Sequence, residues 1–380
     1  AMIETVNRMP DAVAFRDPGD SIDYSTLASR AARLARVLGE AGIARGDRVG
    51  LYFDKSLESA VALFGVMQAG AAYVPLDPAA PPSRTASVLG QCGARVLITH
   101  QPRRRALPLL LAEADIDVVI GIDALPELAK PALIGWEDVL HAPEAPGSVA
   151  DASELDLAYL IFTSGSTGVP KGIMHTHSSG MAYTRMAAGL YGLRSDDRLG
   201  NLSPLHFDMS TFDYFCGPMA GASTVIVPEA YTKLPASLAE LAEETHITIW
   251  YSVPFALTQM LLHGALETRD LSAIRWVLFG GEPFVPKHLE ALTSLLRGAR
   301  FSNVYGPAEV NQCTFHHLDG PWTEADGQPP IGRACPNADL AVVDEEDSAV
   351  PAGYAGELIV RSPTVMRGYW QRPELNAGVF

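Results

Sequence analysis

The sequence predicts an α/β protein made of two mainly parallel α/β subdomains and a small β-barrel-like subdomain. Three observations predict it. Through the first third of the chain, short apolar runs alternate with stretches of helical periodicity. Strands that alternate with helices build a parallel sheet covered on both faces. The alternation resumes at residue 157, after a Pro-, Ala- and Ser-rich connection at 141–153. Beyond Asn337 it gives way to short strands separated by turn residues, the pattern of a small β unit. The expected boundaries are therefore 1–150, 151–336 and 337–380.

Taken in order, residues 25–41 place Leu27, Ala31, Leu34, Leu38 and Ala41 on one helical face, and Gly42 stands where it can cap the end. Residues 49–52 and 73–76 read as strands around a helix at 56–69. A helix at 83–91, a strand at 95–99, a helix at 106–114 and a strand at 117–122 continue the series. In the second part, buried-strand compositions stand at 157–162, 225–227, 248–250 and 276–279, with helices at 234–244, 255–262 and 286–296. The last part has strands at 340–343 and 357–360. No internal repeat of fixed period is present.

Composition narrows the function. The chain of 380 residues is long for one domain, which usually takes ~100–200. With 48% apolar residues it can bury a core. Its net charge is −16, and its only basic block is Arg103-Arg104-Arg105. Nucleic-acid surfaces and anionic-membrane anchors need clustered Lys and Arg to neutralise phosphates, so neither partner is expected. The longest apolar run, 60–67, is far short of the ~20 residues that span a bilayer. The N-terminus lacks the basic and apolar regions of a secretory signal. Cys92, Cys216, Cys313 and Cys335 are widely spaced, which fits neither structural zinc nor a disulfide scaffold. Reduced, buried thiols in a cytoplasmic protein are expected. The His175/His177 and His316/His317 pairs lack an HExxH frame and read as non-metal.

The most informative stretch is Tyr159-Leu-Ile-Phe-Thr-Ser-Gly-Ser-Thr-Gly-Val-Pro-Lys-Gly172. A buried strand runs into glycines that let the backbone turn its N–H groups inward, hydroxyls add donors, and Lys171 supplies charge. Composition alone allows a phosphate cradle or a Ser/Gly-rich turn with a solvated lysine. It does exclude other loops. A Walker A loop would need Gly-Lys where Pro170 stands, no GxGxxG is present, and a nucleophile elbow would need glycine at Ser164.

The run from Thr163 to Gly172 resembles the signature loop of the adenylate-forming superfamily, which includes acyl- and aryl-CoA synthetases, luciferase and nonribosomal peptide synthetase adenylation domains. Four further pieces match in order. They are Gln68-Ala-Gly-Ala-Ala-Tyr-Val-Pro-Leu-Asp77, Phe207-Asp208-Met209-Ser210 (the amino-acid-activating FDxS), Asn303-Val-Tyr-Gly-Pro-Ala-Glu309, and Gly356-Glu-Leu with Arg367-Gly-Tyr369. The matches span nearly the whole chain. They imply the large N-terminal core of an adenylate-forming enzyme.

The resemblance implies roles for named residues. Thr163, Ser164, Gly165, Ser166, Thr167, Gly168 and Lys171 would wrap the phosphates of ATP, with Thr163, Lys171 and Glu309 catalytic. Glu309 would hold magnesium. Tyr305 would lie against the adenine, bordered by Gly281 and Glu282. Asp208 would pair with the ammonium group of an amino acid. A ligase for simple carboxylic acids has no such cation, and one partner of a buried pair left alone costs ~3–5 kcal/mol. A cap on the helix that follows is the other reading of this aspartate. Carried over by position, Met209, Phe212, Ser252, Leu278, Gly280, Val304, Gln312 and Cys313 complete the substrate pocket. Asp208 is its only charged residue, so an uncharged, mostly apolar amino acid is expected.

Ala308 stands where the family usually has threonine. The run 305–313 looks somewhat like that of stand-alone β-amino-acid ligases of polyketide pathways, so an α- or β-amino group stays open. The acceptor implied is the phosphopantetheine thiol of a carrier protein. An acyl- or aryl-CoA ligase is the alternative within the superfamily, and a non-catalytic nucleotide-binding module is the alternative outside it. The chain ends at Phe380, ahead of the family's Tyr-x-Thr-Gly-Asp motif, hinge and lid. A core that binds ATP and substrate but adenylates poorly by itself is the expectation.

Overall fold

Two large twisted sheets carry the molecule, and the chain passes between them more than once. A computed structural model describes residues 2–125, 130–145, 152–164 and 170–380. The first sheet has eight strands among the described residues. Its parallel part runs Leu157–Ser164, Ala72–Pro75, Arg48–Tyr52, Val96–Thr99, Val118–Ile120 and Ala132–Ile134. Pro170–Thr176 pairs antiparallel with Leu157–Ser164, and Gly368–Tyr369 pairs antiparallel with Pro170–Thr176.

The second sheet has nine strands among the described residues. Ser223–Ile226, Arg198–Asn201, Ile249–Ser252, Trp276–Gly280 and Arg300–Tyr305 are parallel, with Thr314–His317 and Arg333–Ala334 antiparallel at one edge. The other edge is Val13–Arg16 and Ser21–Asp23, from the start of the chain. Sheet membership therefore crosses residue 150 in both directions. An N-terminal hairpin joins the second sheet, and the first two strands after the Pro-rich connection join the first. Periodicity reports which residues form a strand, but not which sheet the strand enters.

Local chemistry explains most of the elements. Tyr24–Glu40 starts at Asp23, whose carboxylate accepts from the Thr26 amide at 2.6 Å, an N-cap. Leu57–Gln68 starts at a Ser56/Ser59 capping box and is buried nearly all round because it packs between the Tyr24–Glu40 helix and a sheet. Pro254–His263 and Pro286–Leu295 begin on proline, which has no amide to leave unsatisfied at a helix start.

The barrel-like expectation for 337–380 is corrected. That stretch contributes a two-stranded antiparallel ribbon, Asp339–Val343 with Glu357–Arg361, and no closed barrel is present among the described residues. Two strands cannot close on themselves. The next strand, Gly368–Tyr369, is drawn into the first sheet instead.

Candidate active site

The strand Leu157–Ser164 folds back on Pro170–Thr176 with Thr163 opposite Lys171, Ser164 opposite Pro170 and Phe162 opposite Gly172. A side chain at Gly172 would meet the Phe162 ring at 2.8 Å, so glycine lets that ring lie across the strand. Gly165, Ser166, Thr167 and Gly168 lie outside the described residues. Lys171 is thus the first cation after the hairpin loop. It makes no ion pair among the described residues, and its ammonium lies 5.4 Å from the centre of the Tyr369 ring.

Glu309 comes from the other sheet, in the loop between Arg300–Tyr305 and Thr314–His317. Gly306 is required there because a Cβ would meet the Asn311 carbonyl at 2.3 Å. Contacts distant in sequence pin the loop. The buried His175 ring donates from Nε2 to the Ala308 carbonyl at 2.8 Å and stacks on Tyr159. Burial pulls the His175 pKa down to about 4, so the ring is neutral at pH 7 and Nε2 carries the proton. The Met366 amide donates to the Glu309 carbonyl at 2.7 Å, and the Tyr369 hydroxyl donates to Glu309 Oε1 at 2.7 Å. Asn311, at φ 58, donates to the Tyr159 hydroxyl at 3.4 Å and accepts from Thr211 Oγ1 at 3.3 Å.

Tyr305 closes its strand and is 40% exposed. Gly280 pairs with Val304, so Gly281 (φ 90) and Glu282 leave the sheet beside Tyr305. Both are exposed, and Glu282 Oε1 accepts from the Phe255 amide at 2.6 Å. The carboxyl ends of neighbouring parallel strands thus present an aromatic face and two backbone units together, the place where open α/β sheets bind ligands.

Asp208 sits in the turn that leads into a helix with a π-helical segment at Phe212–Cys216. It shares a cavity of about 300 Å³ with Phe162, Thr163, Pro170, His206 and Ala308. Asp208 and the phosphate hairpin therefore face one space. Burial pushes the carboxyl pKa up to about 6, against the pull of the Met209 and Asp208 amides. Among the described residues Asp208 has no ion-pair partner, and no amide of the helix that follows caps onto its carboxylate. The capping alternative is set aside.

The other expected pocket residues are brought together by sheet register. Ser252 pairs with Phe279, Leu278 with Ser302 and Gly280 with Val304. Phe212, Leu278 and Val304 are buried in one cluster with Tyr191, Tyr251 and Trp276, and Met209 packs against it. Ser252 Oγ accepts from Trp250 Nε1 at 3.0 Å, and the buried Gln312 donates to the Tyr191 hydroxyl at 2.9 Å. Cys313 is buried, and its carbonyl accepts from the Cys335 amide at 2.8 Å. All four cysteines are free and buried. Sequence reasoning missed His175, Tyr191, His206 and Cys335. Only the resemblance of 367–369 to a family motif pointed to Tyr369, and it assigned no role.

Among the described residues, no group of three or more His, Cys, Asp or Glu side chains could hold a metal ion, and no helix is long and apolar enough to cross a membrane. The profile of the AMP-binding enzyme family matches residues 3–370. An L-proline–[L-prolyl-carrier protein] ligase of Pseudomonas fluorescens is 32% identical over 373 residues, 98% of this chain and 73% of that protein. Its namesake in Streptomyces coelicolor is 35% identical over 362 residues, 93% of this chain and 68% of that protein. The AMPPNP-bound structure of a variant of the nonribosomal peptide synthetase FmoA3 superposes with a TM-score of 0.86 at 29% identity, covering 99% of this chain and 38% of that one.

Proposed function

The chain belongs to the AMP-binding enzyme family, and on that premise we propose that it adenylates an uncharged, mostly apolar amino acid with ATP. Pyrophosphate is released, and the carrier protein's phosphopantetheine thiol then takes the aminoacyl group from the adenylate, with AMP leaving, in the cytoplasm. The observation that carries this reading is Asp208, a carboxyl raised to about 6 by burial, facing a cavity shared with the phosphate hairpin and lacking a cationic partner among the described residues. A substrate ammonium supplies that partner. The relatives named as carrier-protein ligases and a peptide synthetase support the direction of transfer.

The reaction joins two anions, a carboxylate and the α-phosphate, so the site has to offset charge and hold an in-line approach. Asp208 fixes the amino end. The buried cluster around Phe212, Leu278 and Val304 takes the side chain and excludes a charged one, which would find no counter-ion there. Lys171 approaches the β- and γ-phosphates as the pyrophosphate leaves, and Tyr305 with Gly281 and Glu282 borders the base. Glu309 fits magnesium, which takes one or two protein carboxylates and completes its shell with phosphate oxygens and water. Bound there, the ion offsets triphosphate charge.

Amino-acid-dependent exchange of pyrophosphate into ATP tests the reading. A panel of apolar α- and β-amino acids is compared with their des-amino acids. Exchange confined to amino acids, and lost in Asp208→Ala, is the expected result. Equal exchange with des-amino acids, unchanged in Asp208→Ala, overturns it in favour of the acyl-CoA ligase alternative.

A further inference from the structure

Glu309 and Lys171 belong to different sheets, and a short segment near residue 368 touches both. On one side, the Met366 amide and the Tyr369 hydroxyl each bond Glu309 at 2.7 Å, the first through its carbonyl and the second through Oε1. On the other side, Gly368 and Tyr369 pair with Met174 and Ile173, and the Trp370 amide donates to the Gly172 carbonyl at 2.7 Å. Tyr369 is therefore fixed to the strand that carries Lys171. Its ring is buried with Ile173 and Met366, Ala308 packs on the same cluster, and the Lys171 ammonium lies 5.4 Å from the ring centre. Glu309 Oε2 carries no hydrogen bond among the described residues.

A hydroxyl bonded to one carboxylate oxygen fixes the direction of the group and leaves the second oxygen unclaimed. A cation over an aromatic face is held in range without being neutralised. We propose that Tyr369 is a positioning residue for the nucleotide step. It holds Glu309 by Oε1 so that Oε2 is left for magnesium, and it sets Lys171 against its ring, so that metal ligand and phosphate cation are aligned through one side chain. The inference rests on the magnesium role given to Glu309 above. It also gives the Arg367-Gly-Tyr369 motif a physical task. Ala308 packs against the Met366–Tyr369 cluster.

The test is calorimetric binding of the non-hydrolysable analogue AMPPNP to the purified protein, with and without magnesium chloride. Wild type binds the analogue more tightly with magnesium. Tyr369→Phe keeps the ring and loses about tenfold of that gain, the scale of one hydrogen bond to a charged group, with metal-free affinity unchanged. Tyr369→Leu also weakens metal-free binding, by about threefold, because the ring under Lys171 is gone. Placed in Glu309→Ala, Tyr369→Phe changes nothing further. A purely structural tyrosine would lower both affinities and the melting temperature together, without sparing metal-free binding.

Tyr369→Phe with the full magnesium gain, or with a further loss in Glu309→Ala, overturns the inference. If Glu309→Ala still loses the gain in that case, the role of Glu309 stands. If Glu309→Ala keeps the gain, or wild type shows none, both fall.

Discussion

The two halves of the candidate site are built on different physical terms. On the phosphate side, the two sheets are tied together by single hydrogen bonds from buried rings, His175 to Ala308 and Tyr369 to Glu309. On the amino-acid side, Phe212, Leu278, Val304 and Cys313 are buried, and parallel register sets the spacing of Leu278 and Val304. The carboxyl placed there is Asp208. The charged groups of the phosphate side, Lys171 and Glu309, are half-buried. The amino-acid side carries one carboxyl with no cationic partner among the described residues, beside a packed apolar cluster, so its energetics depend on a ligand. Affinity for nucleotide and choice of acid should therefore be separable by substitution.

The largest expected effect is on the buried side. Asp208→Ala should lower amino-acid-dependent exchange by about a hundredfold or more, the consequence of leaving a substrate cation unpaired in a desolvated site. AMPPNP affinity should stay within about twofold, a change small beside the tenfold that one hydrogen bond to a charged group carries. Loss of both in parallel would merge the two halves. Next comes Lys171→Met, which removes the phosphate cation. It should weaken AMPPNP binding by roughly ten- to thirtyfold, by the worth of a charge-assisted contact, and leave the order of preference among amino acids unchanged.

A pH series sharpens the contrast. The Asp208 pKa lies near 6 in the free protein, above the usual ~3.9 of the residue. The carboxylate that binds an ammonium is present above that value and is lost as pH falls through it. Amino-acid affinity, measured by calorimetry, should be flat from pH 7 to 8 and drop by up to about tenfold per unit below pH 6. AMPPNP affinity in Asp208→Asn serves as the control, and the same low-pH drop in amino-acid affinity in that variant would contradict the assignment. The smallest effect is expected at Ala308→Thr. Adding one neutral donor beside the nucleotide should change the KM for ATP by no more than about tenfold, with the preferred amino acid unaltered.

The same division decides what the sequence could reveal. Elements held by local patterns were legible, among them the helix Tyr24–Glu40 and the buried strand Trp276–Gly280, although the Asp23 cap of that helix was not. Contiguous motifs also marked Lys171, Asp208 and Glu309 as candidate site residues. What joins those motifs was not legible. The bonds Tyr369 to Glu309, His175 to Ala308 and Gln312 to Tyr191 span 60, 133 and 121 residues, and no periodicity encodes a partner at such range. Residues 13–23 gave no sign of entering the later sheet, because pairing at an edge depends on which strand end is left open. The barrel expectation failed for a related reason. Alternation identifies the strands at 339–343 and 357–361, but closure requires more strands than that segment supplies.

A crystal structure of the protein with a non-hydrolysable aminoacyl-adenylate analogue tests the central claim most directly. The ammonium of the analogue should lie within about 3 Å of the Asp208 carboxylate, a charge-assisted hydrogen bond. An analogue whose ammonium meets solvent or another residue, with Asp208 turned away, would contradict it.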